Sequence, residues 1–219
     1  MFATSTPATA EGFFDRTTEL ARIEDAVTRL MKGAPKWLCL VGPRKVGKTS
    51  LLREVERRAR ERGAPQPCFV VVDVLETMPA STEVLRAVAL QAVDALLSRD
   101  AGQALGPLAS TPDAWRGALV GSTMFSKLPQ ALKQTVLELP TLPDDPRTLA
   151  TMLSVPEQLA QALDTWVVVA IDEFQELATL HRGGPDVMAL LRSIWQRHRR
   201  TSYIVSGSAR STLLELATS

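Results

Sequence analysis

Gly42-Pro43-Arg44-Lys45-Val46-Gly47-Lys48-Thr49, followed by Ser50, sets two glycines, a lysine and a hydroxyl at the spacing G-x-x-x-x-G-K-T. This spacing suits phosphate binding. The glycines permit a tight turn in which successive backbone N–H groups point at phosphate oxygens. Lys48 is placed to reach the β- and γ-phosphates, and the Thr49 hydroxyl to sit on a Mg²⁺ ion. The helix that follows, expected over about residues 50–62, adds the positive end of its dipole.

A second group complements the first. Asp172 and Glu173 end the apolar run Thr165-Trp166-Val167-Val168-Val169-Ala170-Ile171. Asp172 is expected to hold Mg²⁺ through water, opposite Thr49. Glu173 is expected to polarise a water for in-line attack on the γ-phosphate. A base that activates water favours hydrolysis over phosphate transfer. The competing reading is that the two acids only cap the next helix. The run that includes Tyr203-Ile204-Val205 ends in Ser206-Gly207-Ser208. Ser206 or Ser208 there would project between the phosphate loop and Asp172 and could donate to the γ-phosphate or the attacking water. A plain Ser-Gly-Ser turn explains the same residues. The chain contains no asparagine, so the guanine-specific Asn-Lys-x-Asp element is absent and ATP is preferred over GTP.

The elements that must position these groups follow from patterning. Continuous apolar runs at residues 37–41, 68–74, 165–171 and 202–206 suit parallel strands covered on both faces. Helical spacing appears over about 17–32, with Leu20, Ile23, Val27 and Leu30 on one face, and over 81–98. Residues 100–147 are rich in Gly and Pro. They are expected to form an insertion of short helices and loops against one edge of the core, with a helix over 127–139. A helix over 147–163 is expected to be interrupted, or to start afresh, near Pro156. A helix capped by Asp186 is expected to run to about Arg199, and a last one to start near Ser211.

At 219 residues the length fits one α/β domain, and the net charge of +1 implies neither a nucleic-acid nor a membrane partner. No apolar run approaches a membrane span. Residues 1–12 read as a loose tail, not a secretory signal. Cys39 and Cys68 lie in or beside apolar runs, which fits buried thiols in a reducing, cytoplasmic setting.

The chain resembles the archaeal-type P-loop ATPases, relatives of the AAA+ and STAND groups. Four stretches carry the resemblance: residues 14–20, which are similar to an opening Phe-x-Gly-Arg-x-x-Glu-Leu with Asp15 in place of Gly; the phosphate loop (Walker A); Ile171-Asp172-Glu173-Phe174-Gln175, similar to the Walker B segment; and residues 203–208. The resemblance implies a three-layer α/β sandwich whose parallel sheet is ordered 5-1-4-3-2, with helices on both faces. This chain supplies strands 1-4-3-2, with the fifth missing or supplied elsewhere. It also implies that Phe14 and Arg16 lie over the adenine, although Phe13 and Phe14 read equally as a hydrophobic staple. The family's helical lid and winged-helix parts are not found. Strand one would then be an open apolar edge that invites a partner or a second copy.

The expected activity is Mg²⁺-dependent ATP hydrolysis coupled to conformational change on a macromolecular partner, protein or DNA. The alternative is a nucleotide-gated switch with negligible turnover. A small-molecule kinase is disfavoured by Glu173. Arg197, Arg199 and Arg200 could reach a neighbour's γ-phosphate or DNA, or simply favour a helix C-terminus.

Overall fold

A computed structural model describes residues 16–62, 65–77, 81–98, 111–143, 145–179 and 187–208. The expectations for the tail, Phe13, Phe14, Asp15, the Asp186 cap and the helix near Ser211 lie outside the described residues.

Four strands form one parallel sheet in the order β1-β4-β3-β2. They are β1 (Leu38–Val41), β2 (Cys68–Asp73), β3 (Val167–Asp172) and β4 (Thr201–Gly207). The order matches the expected 1-4-3-2. β3 and β4 are buried along their whole length, because helices cover both faces. Register sets the site: Asp73 pairs with Asp172, and Leu40 with Ser206.

Alternation along each strand divides the core in two. One face carries Phe69, Val71, Val168, Ala170 and Ile204. They pack on Ile23 and Leu30 of α1 (Thr17–Met31) and on Leu51, Leu52 and Val55 of α2 (Lys48–Arg62). The other face carries Val70, Val72, Val169, Ile171 and Val205. It is covered by α4 (Ser81–Leu97), α8 (Pro146–Ala162) and α10 (Val187–Trp195), while the one-turn α3 (Val74–Thr77) continues directly from β2.

The insertion contributes α5 (Pro112–Val120), α6 (Thr123–Ser126), α7 (Gln130–Glu138) and a 3₁₀ turn at Leu139–Thr141. Thr111 and Ser122 cap the first two by accepting from Ala114 N and Phe125 N. These helices pack on α4 and α8 rather than on strands. Trp115 is fully buried and donates its indole N–H to Val136 O at 2.8 Å.

Two helices depart from expectation. α8 runs unbroken through Pro156. A mid-helix proline costs about 3 kcal/mol, but Met152, Val155, Leu159 and Ala160 on the same helix are completely buried. At about 1.5–3 kcal/mol for each large apolar side chain, that burial outweighs the lost bond. α10 ends at Trp195, not near Arg199. The Glu157 carboxylate of α8 accepts from Arg199 N at 2.9 Å and Arg200 N at 3.0 Å, so those N–H groups leave the helical ladder. No described helix is long and apolar enough to cross a membrane.

Candidate functional site

The carboxyl ends of β1, β3 and β4 meet the start of α2. Gly42 N donates to Gly207 O at 3.3 Å, so the loop leaves β1 still tied to β4. A Cβ on Gly42 would lie 3.2 Å from Val46 Cγ2, a tight contact that Val46 would have to yield to, and Gly47 has φ +87°, where any other side chain is strained. Lys45 also takes a positive φ, +66°. Leu51 N bonds Gly47 O at 3.0 Å, so α2 begins inside the motif, two residues before the expected start. Ser50 lies half-buried in its first turn. The Lys48 ammonium reaches back over the loop and donates to Gly42 O at 2.9 Å and Pro43 O at 3.0 Å. Arg44 and Lys45 are exposed at the loop tip.

Thr49 Oγ1 donates to Asp172 Oδ2, across 123 residues of chain. The other Asp172 oxygen accepts from Glu173 N at 3.0 Å, and Asp172 is completely buried. Glu173 stands at φ +51°, a left-handed conformation uncommon outside glycine. Ser206 is also completely buried, and its hydroxyl has no hydrogen-bond partner among the described residues. Strand alternation puts it on the face of Ile204, the same face as Asp172 and α2. The structure therefore brings Lys48, Thr49, Asp172, Glu173 and Ser206 to one end of the sheet.

Arg16 precedes α1. Its guanidinium donates to Glu19 Oε1 at 2.9 Å and to Val46 O. It thus clips the start of α1 to the phosphate loop. Phe14 lies outside the described residues. The basic cluster is elsewhere: Arg197, Arg199 and Arg200 precede β4, at the end of the sheet opposite the phosphate loop. Arg200 pairs with Asp164 at 2.7 Å and lies 5.3 Å over the Trp166 ring.

Three further residues reach the site; sequence reasoning gave no weight to Asp73 and Glu176, and read Gln175 only as part of the Walker B resemblance. Asp73 ends β2 beside Asp172. Burial pushes its carboxyl above the usual range, the Leu75 N–H opposes this, and the charges of Asp172, Glu76 and Glu173 add to the rise. An apolar run ending in Asp was a visible signal at both positions. Gln175 and Glu176 open the short helix α9 (Gln175–Thr179), and Glu176 pairs with Arg44 of the loop at 3.6 Å.

No group of three or more His, Cys, Asp or Glu able to hold a metal is found among the described residues. The hard oxygen donors Thr49 and Asp172 nevertheless suit Mg²⁺, which is commonly held by one or two protein ligands together with substrate phosphates and water.

The Walker-type ATPase PABY2304 of Pyrococcus abyssi superposes with a TM-score of 0.54 at 21% identity, over 95% of this chain and 49% of that one. The ORC2 protein of Aeropyrum pernix, solved in ADPNP-ADP complexes, gives a TM-score of 0.49 at 16% identity, over 94% of this chain and 45% of that one. The chain thus spans about half the length of each. No curated protein matches it by sequence. The AAA ATPase domain family matches residues 12–209. With a four-stranded parallel sheet, a phosphate loop and an Asp-Glu strand end, the chain belongs to the AAA ATPase domain family.

Proposed function

We propose that this chain binds ATP with Mg²⁺ and hydrolyses it, coupling the cycle to conformational change on a protein partner or a second copy. The observation that carries this reading is the Thr49–Asp172 hydrogen bond, with Glu173 adjacent and the unpartnered Ser206 hydroxyl on the same sheet face. The loop N–H groups from Gly42 to Lys48 cradle the phosphates. Lys48 exchanges its carbonyl partners for phosphate oxygens and neutralises their charge. Thr49 and Asp172 would hold Mg²⁺, which when bound offsets negative charge on the phosphates. Glu173 orients a water in line with the γ-phosphorus and takes its proton as the bond to ADP breaks. Ser206 donates to the γ-phosphate or to that water. Arg16 holds the loop in place from outside.

The test is Glu173→Gln. Retained ATP binding with turnover lowered about 10²- to 10⁴-fold, the usual contribution of a general base, supports the role. Unchanged turnover removes it. A second reading is a nucleotide-gated module with negligible turnover, which needs the phosphate loop and Lys48 but not Glu173. Tight ATP binding without phosphate release, in wild type and Glu173→Gln alike, would select it.

A further inference from the structure

Gln175 is buried at the start of α9. Its amide spans two groups that belong to different parts of the fold. Nε2 donates to Glu173 Oε2 at 2.5 Å and, more weakly, to Glu176 Oε1 at 3.4 Å. Oε1 accepts from Ser208 N, just past β4, at 3.2 Å. A backbone N–H can only donate and a carboxylate only accept, so the amide has one orientation that satisfies both sides. The surrounding turn is stiff. Phe174 N donates to Ser206 O at 2.8 Å, Glu176 N to Glu173 O at 2.9 Å, and the Phe174 ring is completely buried.

We propose that Gln175 is a positioning residue that fixes the Glu173 carboxylate and ties it to the end of β4. The argument is one of donors and reach. Glu173 sits at an uncommon φ of +51°, a conformation that persists only where surrounding contacts hold it. The only uncharged side-chain donor bonded to its carboxylate among the described hydrogen bonds is Gln175. The same amide is held by Ser208 N, two residues beyond Ser206. A movement of the β4 end, such as a phosphate contact at Ser206 would cause, is therefore passed to Glu173 through one rigid planar group. Glutamate cannot donate, leucine can do neither, and asparagine is one methylene too short to span both sides.

This rests on the reading of Glu173 as the base. The experiment compares Gln175→Leu, Gln175→Glu and Glu173→Gln, each alone, and Gln175→Leu combined with Glu173→Gln, in the full chain. Binding of ATP is measured directly, kcat and KM by phosphate release, and exchange of the Ser208 amide by NMR. The expected result is Kd and KM within about twofold of wild type and kcat down about 10²-fold in both Gln175 variants, the scale of a misplaced reacting group. Gln175→Leu should cause no further loss once Glu173 is Gln, and should speed Ser208 exchange where Glu173→Gln does not. Equal fractional losses in both backgrounds, or full kcat in Gln175→Leu while Glu173→Gln is impaired, would overturn the proposal and leave the function intact. If Glu173→Gln turns over normally, the reading of Glu173 as the base fails instead, while hydrolysis itself stands. Ser208 exchange then decides the tether, with unchanged protection in Gln175→Leu refuting it.

Discussion

Asp73 and Asp172 end neighbouring parallel strands in direct register, with Glu173 one step on. Like charges at that spacing oppose ionisation, and burial adds the larger share of the rise at Asp73. Its folded-state pKa lies above the unfolded value of about 3.9. Between the two values the folded chain binds the proton more tightly, so stability falls as pH rises through that window and stays lower above it. Asp73→Asn keeps an oxygen for the Leu75 N–H and removes the charge. Thermal melts without nucleotide should show the variant more stable than wild type at pH 7, with the gain gone near pH 3. A variant less stable at pH 7 would mean that the carboxylate is favourable where it stands.

The junction between α10 and β4 shows how one side chain on a distant helix ends an element. Glu157 of α8 is buried and gathers the N–H groups of Arg199 and Arg200 and the amide of Gln161. The turn it holds delivers Tyr203 to a stack 3.8 Å from Trp195 and sets the Tyr203 hydroxyl 2.7 Å from His198 Nδ1. Glu157→Ala leaves two backbone donors without their acceptor. Loss of charge-assisted bonds of this kind costs about 3 kcal/mol, and Glu157→Gln, which keeps one acceptor oxygen, should cost about half. Urea unfolding should show both as a lower midpoint at unchanged slope. Equal stability of Glu157→Ala and wild type would assign the turn to the aromatic stack instead.

Across the whole molecule the sheet is asymmetric. β2 is an edge strand yet buried along nearly all its length, whereas β1 is only half-covered and Val41 is 43% exposed. Among the described residues no strand flanks β1 on the side away from β4, and a half-covered apolar edge favours association. Specific ATPase activity is therefore expected to rise with protein concentration, alongside an increase in sedimentation coefficient. Activity that is flat while the chain stays monomeric would place the completing surface in another protein. The exposed Arg197 and Arg199 lie at the opposite end of the sheet from the phosphate loop. Any role for them toward a nucleotide therefore requires a second molecule.

The sequence by itself determined the parts whose chemistry is local. The phosphate loop is a backbone conformation written into consecutive residues, and the buried parallel strands announce themselves as unbroken apolar runs. Asp172 and Glu173 were legible because they end such a run, and the strand order was legible only through family resemblance. The tertiary structure decided what depends on register and long-range contact. It placed Asp73 against Asp172, turned Ser206 to the α2 face, set Arg16 on Val46 O and spanned Glu173 to Ser208 through Gln175. It also carried α8 through Pro156 and ended α10 early. Each of these turns on packing energies or hydrogen bonds between segments far apart in the chain, which propensity and periodicity do not encode.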